Sequence, residues 1–316
     1  MIRYGIIGAG RIAKRFADSM KNLPDIELAA ISGRNMERLK EFQKEHGGEK
    51  IYLSHDELIN DPDVDFIYIS LPNAFHKEYT IKALENHKPV ICEKPAAVDP
   101  DELHEMIECA RKNGVLFMEA MKSRFTPCYI EARSLLLNGR IGEIKRIDCK
   151  HGVIVPTDDP HRYDPRCGGI LRDIGIYCGS WYAEFSSELP VIKTIDKEFF
   201  NGADKYVNTT FTMKDTNGND ILCSMEIAYD RKIPSEITFT GTKGILTVRN
   251  LHRPDSYTIT ENDREAEFSC PYVFDDFYGE AEHFYVLLKC GFKESKIMSL
   301  DDSVRVSSFV DTFLKK

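Results

Sequence analysis

Two short stretches of the chain hold side chains that could move a proton at a reacting carbon. In VICEKPAAVD, residues 90–99, Lys94 stands just past an apolar run that reads as a buried strand, and Pro95 follows at once. A lysine ammonium prefers water, so a lysine pinned there is either the exposed rim of a strand or a positioned proton donor. In CGGILRDIGIYCGSWY, residues 167–182, Asp173 and Tyr177 lie four apart. In a helix they share one face and offer a carboxylate and a phenol to one site. A capped amphipathic helix with a packed tyrosine fits the same residues. The paired Gly168 and Gly169 ahead of them permit close approach of the backbone to a ligand.

A third stretch is built for phosphate. GIIGAGRIAKRF carries Gly8-Ala9-Gly10-Arg11-Ile12-Ala13, the G-x-G-x-x-A form of the dinucleotide fingerprint. The first glycine allows a tight strand-to-helix turn, the second lets the backbone approach a pyrophosphate, and Ala13 lets the helix pack close. The phosphate then sits on the free N–H groups of a helix N-terminus, here at Arg11 and Ile12. The acidic residue expected at the end of the second strand, where it would bind a ribose 2′-hydroxyl, is missing. ISGRN stands there, with Ser32, Gly33 and Arg34. A hydroxyl and a guanidinium suit a 2′-phosphate better than two free hydroxyls, so NADP(H) is the preferred cofactor and NAD(H) a possible one. Arg38, one turn beyond Arg34, either assists or is a solvated helix charge.

These residues need a scaffold, and the first 120 positions supply one. Strand patterns at 2–7, 27–32, around 51, 65–72, 89–92 and 115–120 alternate with helical patterns near 12–23, 35–48, 56–60, 75–87 and 99–113. Near-continuously apolar strands, each followed by a helix, imply a parallel sheet covered on both faces, the doubly wound α/β class. Ligands bind such sheets outside the carboxyl ends of the strands. SLPNAFHKEY and CEKP end two of them, which places Leu71, Asn73, His76 and Glu93 with Lys94 along the cofactor crevice. His76 could equally cap the helix that follows it.

Beyond residue 122 the texture changes. Helical patterns at 127–139 and 171–185 flank a strand at 144–155. Short strands then recur at 191–199, 206–213, 221–229, 236–240, 245–250 and 257–261, split by turns such as TNGND and GTKG. They suggest a large, open, mostly antiparallel sheet with helices on one face. The expected division is a dinucleotide-binding Rossmann domain at 1–122, an α+β substrate-binding and oligomerisation domain at 123–300, and a closing helix at 301–316. The bare sheet face calls for a partner, and Val207, Phe211, Ile221 and Met225 are taken as its apolar contribution to a homo-oligomer, a dimer or tetramer.

The totals exclude several classes. A net charge of −9 over 316 residues, with no basic run, argues against nucleic-acid or anionic-membrane binding. No apolar stretch reaches the roughly 18 residues of a membrane span, and MIRYGIIGAG has no signal-peptide pattern. The nine cysteines are scattered without a C-x-x-C pair, which fits reduced thiols of a cytoplasmic protein and leaves no metal site to expect.

Taken in order, GIIGAGRIA, SLPNAFHKEYTIKALENHKPVICEKP, FMEAMKSRFTP and GGILRDIGIY resemble the Gfo/Idh/MocA family over essentially the whole chain. Within it the tyrosine variant and MEAMKSRF look most like the dimeric dihydrodiol dehydrogenase and NADP-dependent xylose dehydrogenase branch. The resemblance implies a hydride passing between nicotinamide C4 and a carbinol carbon of a sugar, cyclic polyol or vicinal diol. It makes Tyr177 the acid/base, with its phenol pulled below the usual value of about 10 by the Lys94 ammonium. Asp173 would bind a neighbouring hydroxyl, orient Lys94 or join the relay. It also implies that the bond into Pro95 is often cis.

Two departures stand out: Cys167 replaces a third glycine, and Lys122 stands where the branch commonly has tryptophan beside the substrate. Arg124 could reach substrate or brace the domain junction, and His161, Arg162 and Tyr163 could set substrate choice. A non-catalytic NAD(P)-binding regulator and a cofactor-retaining oxidoreductase are the competing readings. The intact Lys94, Asp173 and Tyr177 speak against the first, and the lack of an N-terminal arm against the second.

Overall fold

The computed structural model describes residues 1–186 and 188–316. Along the chain run β1 (Ile2–Ile7), α1 (Arg11–Met20), β2 (Ile26–Ser32), α2 (Met36–His46), β3 (Lys50–Tyr52), α3 (His55–Ile59), β4 (Phe66–Ile69), α4 (His76–Glu85), β5 (Val90–Glu93), α5 (Pro100–Asn113) and β6 (Phe117–Ala120). There follow α6 (Pro127–Leu137), β7 (Ile144–Gly152), α7 (Ile176–Phe185), β8 (Val191–Phe200), β9 (Ala203–Lys214), β10 (Asp220–Ala228), β11 (Ile233–Gly241), β12 (Ile245–Arg249), β13 (Ser256–Glu261), β14 (Arg264–Ser269), α8 (Tyr278–Cys290) and α9 (Leu300–Leu314). They form two units, Met1–Met121 with Val273–Ser303, and Lys122–Tyr272 with Val304–Lys316. Among the described residues no helix is long and apolar enough to cross a membrane.

In the first unit six parallel strands take the order β3-β2-β1-β4-β5-β6. Ile6, Ile7, Ala29, Ile31, Phe66, Ile67, Val90 and Ile91 are buried, as strands covered on both faces require. Local signals set the helix ends. Asp99 caps α5 by accepting from the Glu102 N–H at 2.9 Å, Pro100 occupies the first turn, and Gly114 closes the helix in the left-handed region.

Residues 273–303 belong to the first unit, although the expected division gives 273–300 to the second domain and 301–303 to the closing helix, and they pack against α1 and β4. Phe284 of α8 lies 5.2 Å from Phe66, Asp275 accepts from the Ser19 hydroxyl at 2.7 Å, and Arg15 pairs with Asp276 while covering the Phe277 ring. The sequence reading assigned no helix at 278–290. Asp275 caps its start by accepting the Phe277 and Tyr278 N–H groups at 2.8 and 2.9 Å, and the contacts that dock it come from Arg15, Ser19 and Phe66, far away in sequence.

The second unit holds an eight-stranded sheet ordered β14-β13-β12-β11-β7-β10-β9-β8, antiparallel except where β7 runs parallel to β10. The edge strand β14 escaped the sequence reading because REAEFS lies on the surface throughout and shows no buried alternation. On one face α7 and α9 cover the sheet: Tyr182 stacks on Phe309 at 5.2 Å, and Phe211 meets Phe309 and Phe313.

This corrects the account of the bare face. Val207, Phe211, Ile221 and Met225 are buried beneath the helices, not displayed. Residue parity puts their strand neighbours on the other side. There the register aligns Thr194, Thr210, Ser224, Asp148, Thr238, Thr247 and Thr258 in one row across the sheet. A neighbouring row runs Val191, Thr212, Leu222, Arg146, Thr240 and Ile245. The open face is therefore a threonine-rich surface with a few exposed aliphatics.

Candidate active site

The phosphate-binding loop lies where β1 meets α1. Gly8 adopts φ +102°, and a Cβ there would come within 3.0 Å of the Ser70 carbonyl oxygen. Gly10 caps α1 without a side-chain hydrogen bond, and a Cβ on it would meet nothing within 4 Å. The N–H groups of Arg11 and Ile12 stand at the positive end of a helix dipole, beside the open space at Gly10 and with no acidic residue in that turn. A dinucleotide pyrophosphate fits this cradle.

At the end of β2, Ser32 is 0% exposed and its hydroxyl lies 2.8 Å from His55 Nδ1. Gly33 donates its N–H to the Tyr52 carbonyl. Arg34 and Arg38 are both exposed, Arg38 in the first turn of α2, where Asn35 caps its N–H at 3.0 Å. His55, not singled out from sequence, is the serine's partner, and Arg34 acts on the same ring by its charge.

The turns after β4 and β5 are locked together. His76 is buried, with Nδ1 2.9 Å from the Pro95 carbonyl oxygen and Nε2 2.7 Å from that of Leu71. Burial pushes its imidazole below the ordinary value. A neutral ring has one N–H and can donate to only one of the two carbonyls. Leu71 and Asn73 are partly exposed in the same turn. Around Lys94, the Tyr68 phenol donates to the Glu93 carboxylate at 2.5 Å, the Ala96 N–H donates to Glu119 at 3.0 Å, and the Lys94–Pro95 bond is cis. Lys94 itself is half-buried.

In the second unit, residues 171–175 form a single π turn that runs into α7, so Asp173 and Tyr177 straddle the junction. Such wide turns occur mostly as local insertions in α-helices, frequently at functional sites. The glycine pair serves its own loop. A Cβ on Gly168 would sit 2.6–2.8 Å from the carbonyl oxygens of His161, Arg162 and Asp164, and one on Gly169 (φ +96°) would overlap the Asp204 carboxylate. Asp204, buried, accepts the Leu171 N–H at 2.7 Å and so anchors the start of the helical segment.

Asp173 receives the Tyr229 phenol at 2.8 Å and Arg162 Nε at 3.2 Å. Tyr177, 3% exposed, has its ring 6.0 Å from that of His252, which meets the His151 ring edge-on at 5.2 Å. The buried Lys122 donates to the His252 carbonyl at 3.2 Å. His151 contacts Ser235 Oγ at 2.9 Å, and burial pushes its imidazole down.

The other named residues are placed as follows. Arg124 is 1% exposed and donates to Ser180 Oγ and O at 2.9 and 3.0 Å, bracing α7. Tyr163 is buried with its ring against Phe200 and Tyr229, and His161 is exposed. Tyr229, His151 and His252 went unremarked in sequence. The first two lie in or just after strands, and His252 is in a loop between β12 and β13, so no local periodicity marks any of them.

Family models match both units. Residues 2–121 match the oxidoreductase family with an NAD-binding Rossmann fold, and residues 129–247 match the Gfo/Idh/MocA C-terminal domain. The chain is 33% identical to trans-1,2-dihydrobenzene-1,2-diol dehydrogenase of Xenopus tropicalis over 99% of its length and 97% of the relative. It is 29% identical to the human enzyme of that name, covering 99% and 96%. Among solved structures, the 3-ketoreductase KijD10 from Actinomadura kijaniata, in complex with NADP and TDP-benzene, superposes with a TM-score of 0.85 at 25% identity, covering 98% and 96%. Whole-chain similarity on this scale, with both domain models matched in order, leaves one assignment: the chain belongs to the Gfo/Idh/MocA family of oxidoreductases.

Proposed function

We propose that the protein is an NADP-dependent dehydrogenase or reductase of a sugar, cyclic polyol or vicinal diol, with NAD(H) as the lesser cofactor. In this reading the first unit binds the dinucleotide, and the second binds substrate and carries the oligomer contact. A bound nicotinamide dinucleotide supplies or accepts the hydride. Gly8, Gly10, Arg11 and Ile12 hold its pyrophosphate, Ser32, Gly33, Arg34 and Arg38 its adenosine ribose, and Leu71, Asn73, His76 and Glu93 line or shape its crevice.

Tyr177 takes the hydroxyl proton when the carbinol is oxidised and returns it in reduction. Lys94, a cation, favours the phenolate and holds the reacting oxygen. Asp173, fixed by Tyr229 and Arg162, binds a neighbouring hydroxyl. The observation that carries the reading is the construction of the Lys94 turn. Its neighbours Glu93 and Ala96 are tied by hydrogen bonds to Tyr68 and Glu119, and the Pro95 carbonyl lies against the buried His76 ring, more restraint than a rim lysine needs. Relatives named for acting on a diol support the substrate class.

The same reading includes a homo-oligomer, dimer or tetramer, through the open threonine-rich face, supported by exposed Val191, Leu222 and Ile245 in one row. It also includes a cytoplasmic location, supported by nine free cysteines. The experiment is nicotinamide reduction over aldoses, inositols and vicinal diols with NADP⁺ and NAD⁺ in parallel, wild type beside Tyr177→Phe. Turnover that prefers NADP⁺ and collapses in the variant is expected. Tight NADP(H) binding without turnover on any substrate would instead favour a regulatory member.

A further inference from the structure

His55 opens α3 just past the carboxyl end of β3, the strand beside β2 in the sheet. It therefore lies at the same rim as the end of β2, on the side where ligands meet an open parallel sheet. Its Nδ1 is 2.8 Å from the hydroxyl of Ser32, the last residue of β2, and the Tyr79 ring sets its plane edge-on at 4.7 Å. We propose that His55 is a cofactor-binding residue: with Ser32 and Arg34 it forms the site for the 2′-phosphate of NADP(H), and it takes up a proton when that phosphate binds. The proposal rests on the NADP reading above and deepens it.

The charges around the ring explain why it would be poised for this. Asp56, Glu78, Lys82 and Arg34 face it, along with the neutral Tyr79. Lys82 is paired with both Asp56 and Glu78 at 2.9 Å, so these three carry a single net negative charge, which favours the imidazolium. Burial, the largest effect, with Arg34 and Lys82 nevertheless holds the imidazole below its ordinary value. A phosphate monoester brings close to two negative charges at neutral pH. Seated on Arg34 it would offset one of the two nearby cations that oppose protonation and add an anion that favours it.

The Ser32 bond turns this charge change into a contact. Against a neutral ring protonated at Nε2, the Ser32 hydroxyl donates to Nδ1. An imidazolium must donate from Nδ1 instead, which releases the Ser32 hydrogen for another acceptor. One proton thus supplies a cation and a redirected hydroxyl at the ribose end, whereas NAD(H) brings no charge that would recruit it. Linkage sets the sign: affinity for NADP(H) gains from His55 as pH falls through the imidazole's bound-state value, by at most about tenfold per pH unit for one proton.

Isothermal titration calorimetry tests this with NADP⁺ and NAD⁺, in buffers of differing ionisation enthalpy, between about pH 6 and 8.5. Wild type, His55→Gln, Ser32→Ala and Arg34→Ala are compared, each checked for folding by circular dichroism. The phosphate titrates in the same range, so the reading is the difference between wild type and His55→Gln. Wild type is expected to take up more protons than His55→Gln on binding NADP⁺ and no more on binding NAD⁺. His55→Gln should lose about tenfold in NADP⁺ affinity at the acid end while NAD⁺ affinity stays within about twofold. Ser32→Ala should lose part of the same increment. Equal proton uptake in wild type and His55→Gln overturns the assignment. If Arg34→Ala weakens NADP⁺ alone while His55→Gln changes nothing, only the His55 role fails. If NADP⁺ never binds more tightly than NAD⁺ and Arg34→Ala alters neither, the NADP reading fails and takes the His55 role with it.

Discussion

The Tyr229 phenol donates to the Asp173 carboxylate at 2.8 Å, from a tyrosine buried so deeply that it holds its proton well above the usual range. Arg162 reaches the same oxygen at 3.2 Å. Tyr229 therefore donates at every working pH and positions Asp173 for whatever Asp173 holds. Replacing Tyr229 by phenylalanine keeps the ring and removes the donor. A hydrogen bond to a charged group contributes about 1.5–3 kcal/mol, so kcat/KM is expected to fall roughly 10- to 100-fold. The thermal midpoint should move by only a few degrees. An unchanged kcat/KM with the panel's best substrate would remove Tyr229 from the site.

Two glycines separate loop construction from ligand space. Gly169→Ala puts a methyl into the Asp204 carboxylate at a left-handed φ, so urea unfolding should show a loss of about 2–4 kcal/mol. Gly10→Ala meets no protein atom. It should leave stability within about 0.5 kcal/mol while weakening dinucleotide binding by tenfold or more. A Gly10→Ala protein that binds cofactor normally would show that the space above the helix start is not where the pyrophosphate lies.

The parallel sheet, its order of elements and the two glycine-bearing turns were legible because each is a local pattern: an apolar run, a helix start, a fingerprint. The same locality explains the misses. Helix α8 depends on Ser19, Arg15 and Phe66, far away in sequence, and β14 has no buried side to betray it. The apolar residues of β9 and β10 were read correctly as one face, but a period of two cannot say which face the helices cover. Among the candidate residues, Lys94, Asp173 and Tyr177 drew notice by motif. Their supports (His76, Glu119, Asp204 and Tyr229) act through single side-chain contacts, a relationship that spacing does not encode.

Stability should fall as the solution is acidified from about pH 7.5 to 5.5. Burial pushes His55, His76, His151 and His283 below the ordinary histidine value. In this window the unfolded chain binds more protons than the folded one. The stability each contributes is complete above the unfolded value of about 6.5 and is lost as pH falls toward the depressed folded value, at most about 1.4 kcal/mol per pH unit for each group. Asp204, pushed up by burial, opposes this in sign, since protonating it favours the folded state. Chemical denaturation at several pH values measures the slope, and His76→Gln should flatten it. A slope of zero or of the opposite sign would mean that these rings are not held neutral.

Arg124 was one of the residues that could have met substrate, and its surroundings lead to a different expectation. It is almost wholly buried, donates twice to Ser180 and lies 3.4 Å from Glu184, which also pairs with Arg133 at 2.7 Å. Arg124→Met removes the buried cation but leaves Glu184 with its outer partner, so the cost should fall near the lower end of the 3–5 kcal/mol typical of a broken buried pair, about 3 kcal/mol. Arg124→Lys keeps the charge but cannot span the Ser180 hydroxyl, the Ser180 carbonyl and Glu184 together, and should recover only part of that loss. The folded fraction of either variant is expected to bind substrate with KM within about twofold of wild type, because the guanidinium acts on the helix that carries Tyr177 and not on the ligand. A KM raised tenfold or more in Arg124→Lys, with stability unchanged, would return Arg124 to the substrate site.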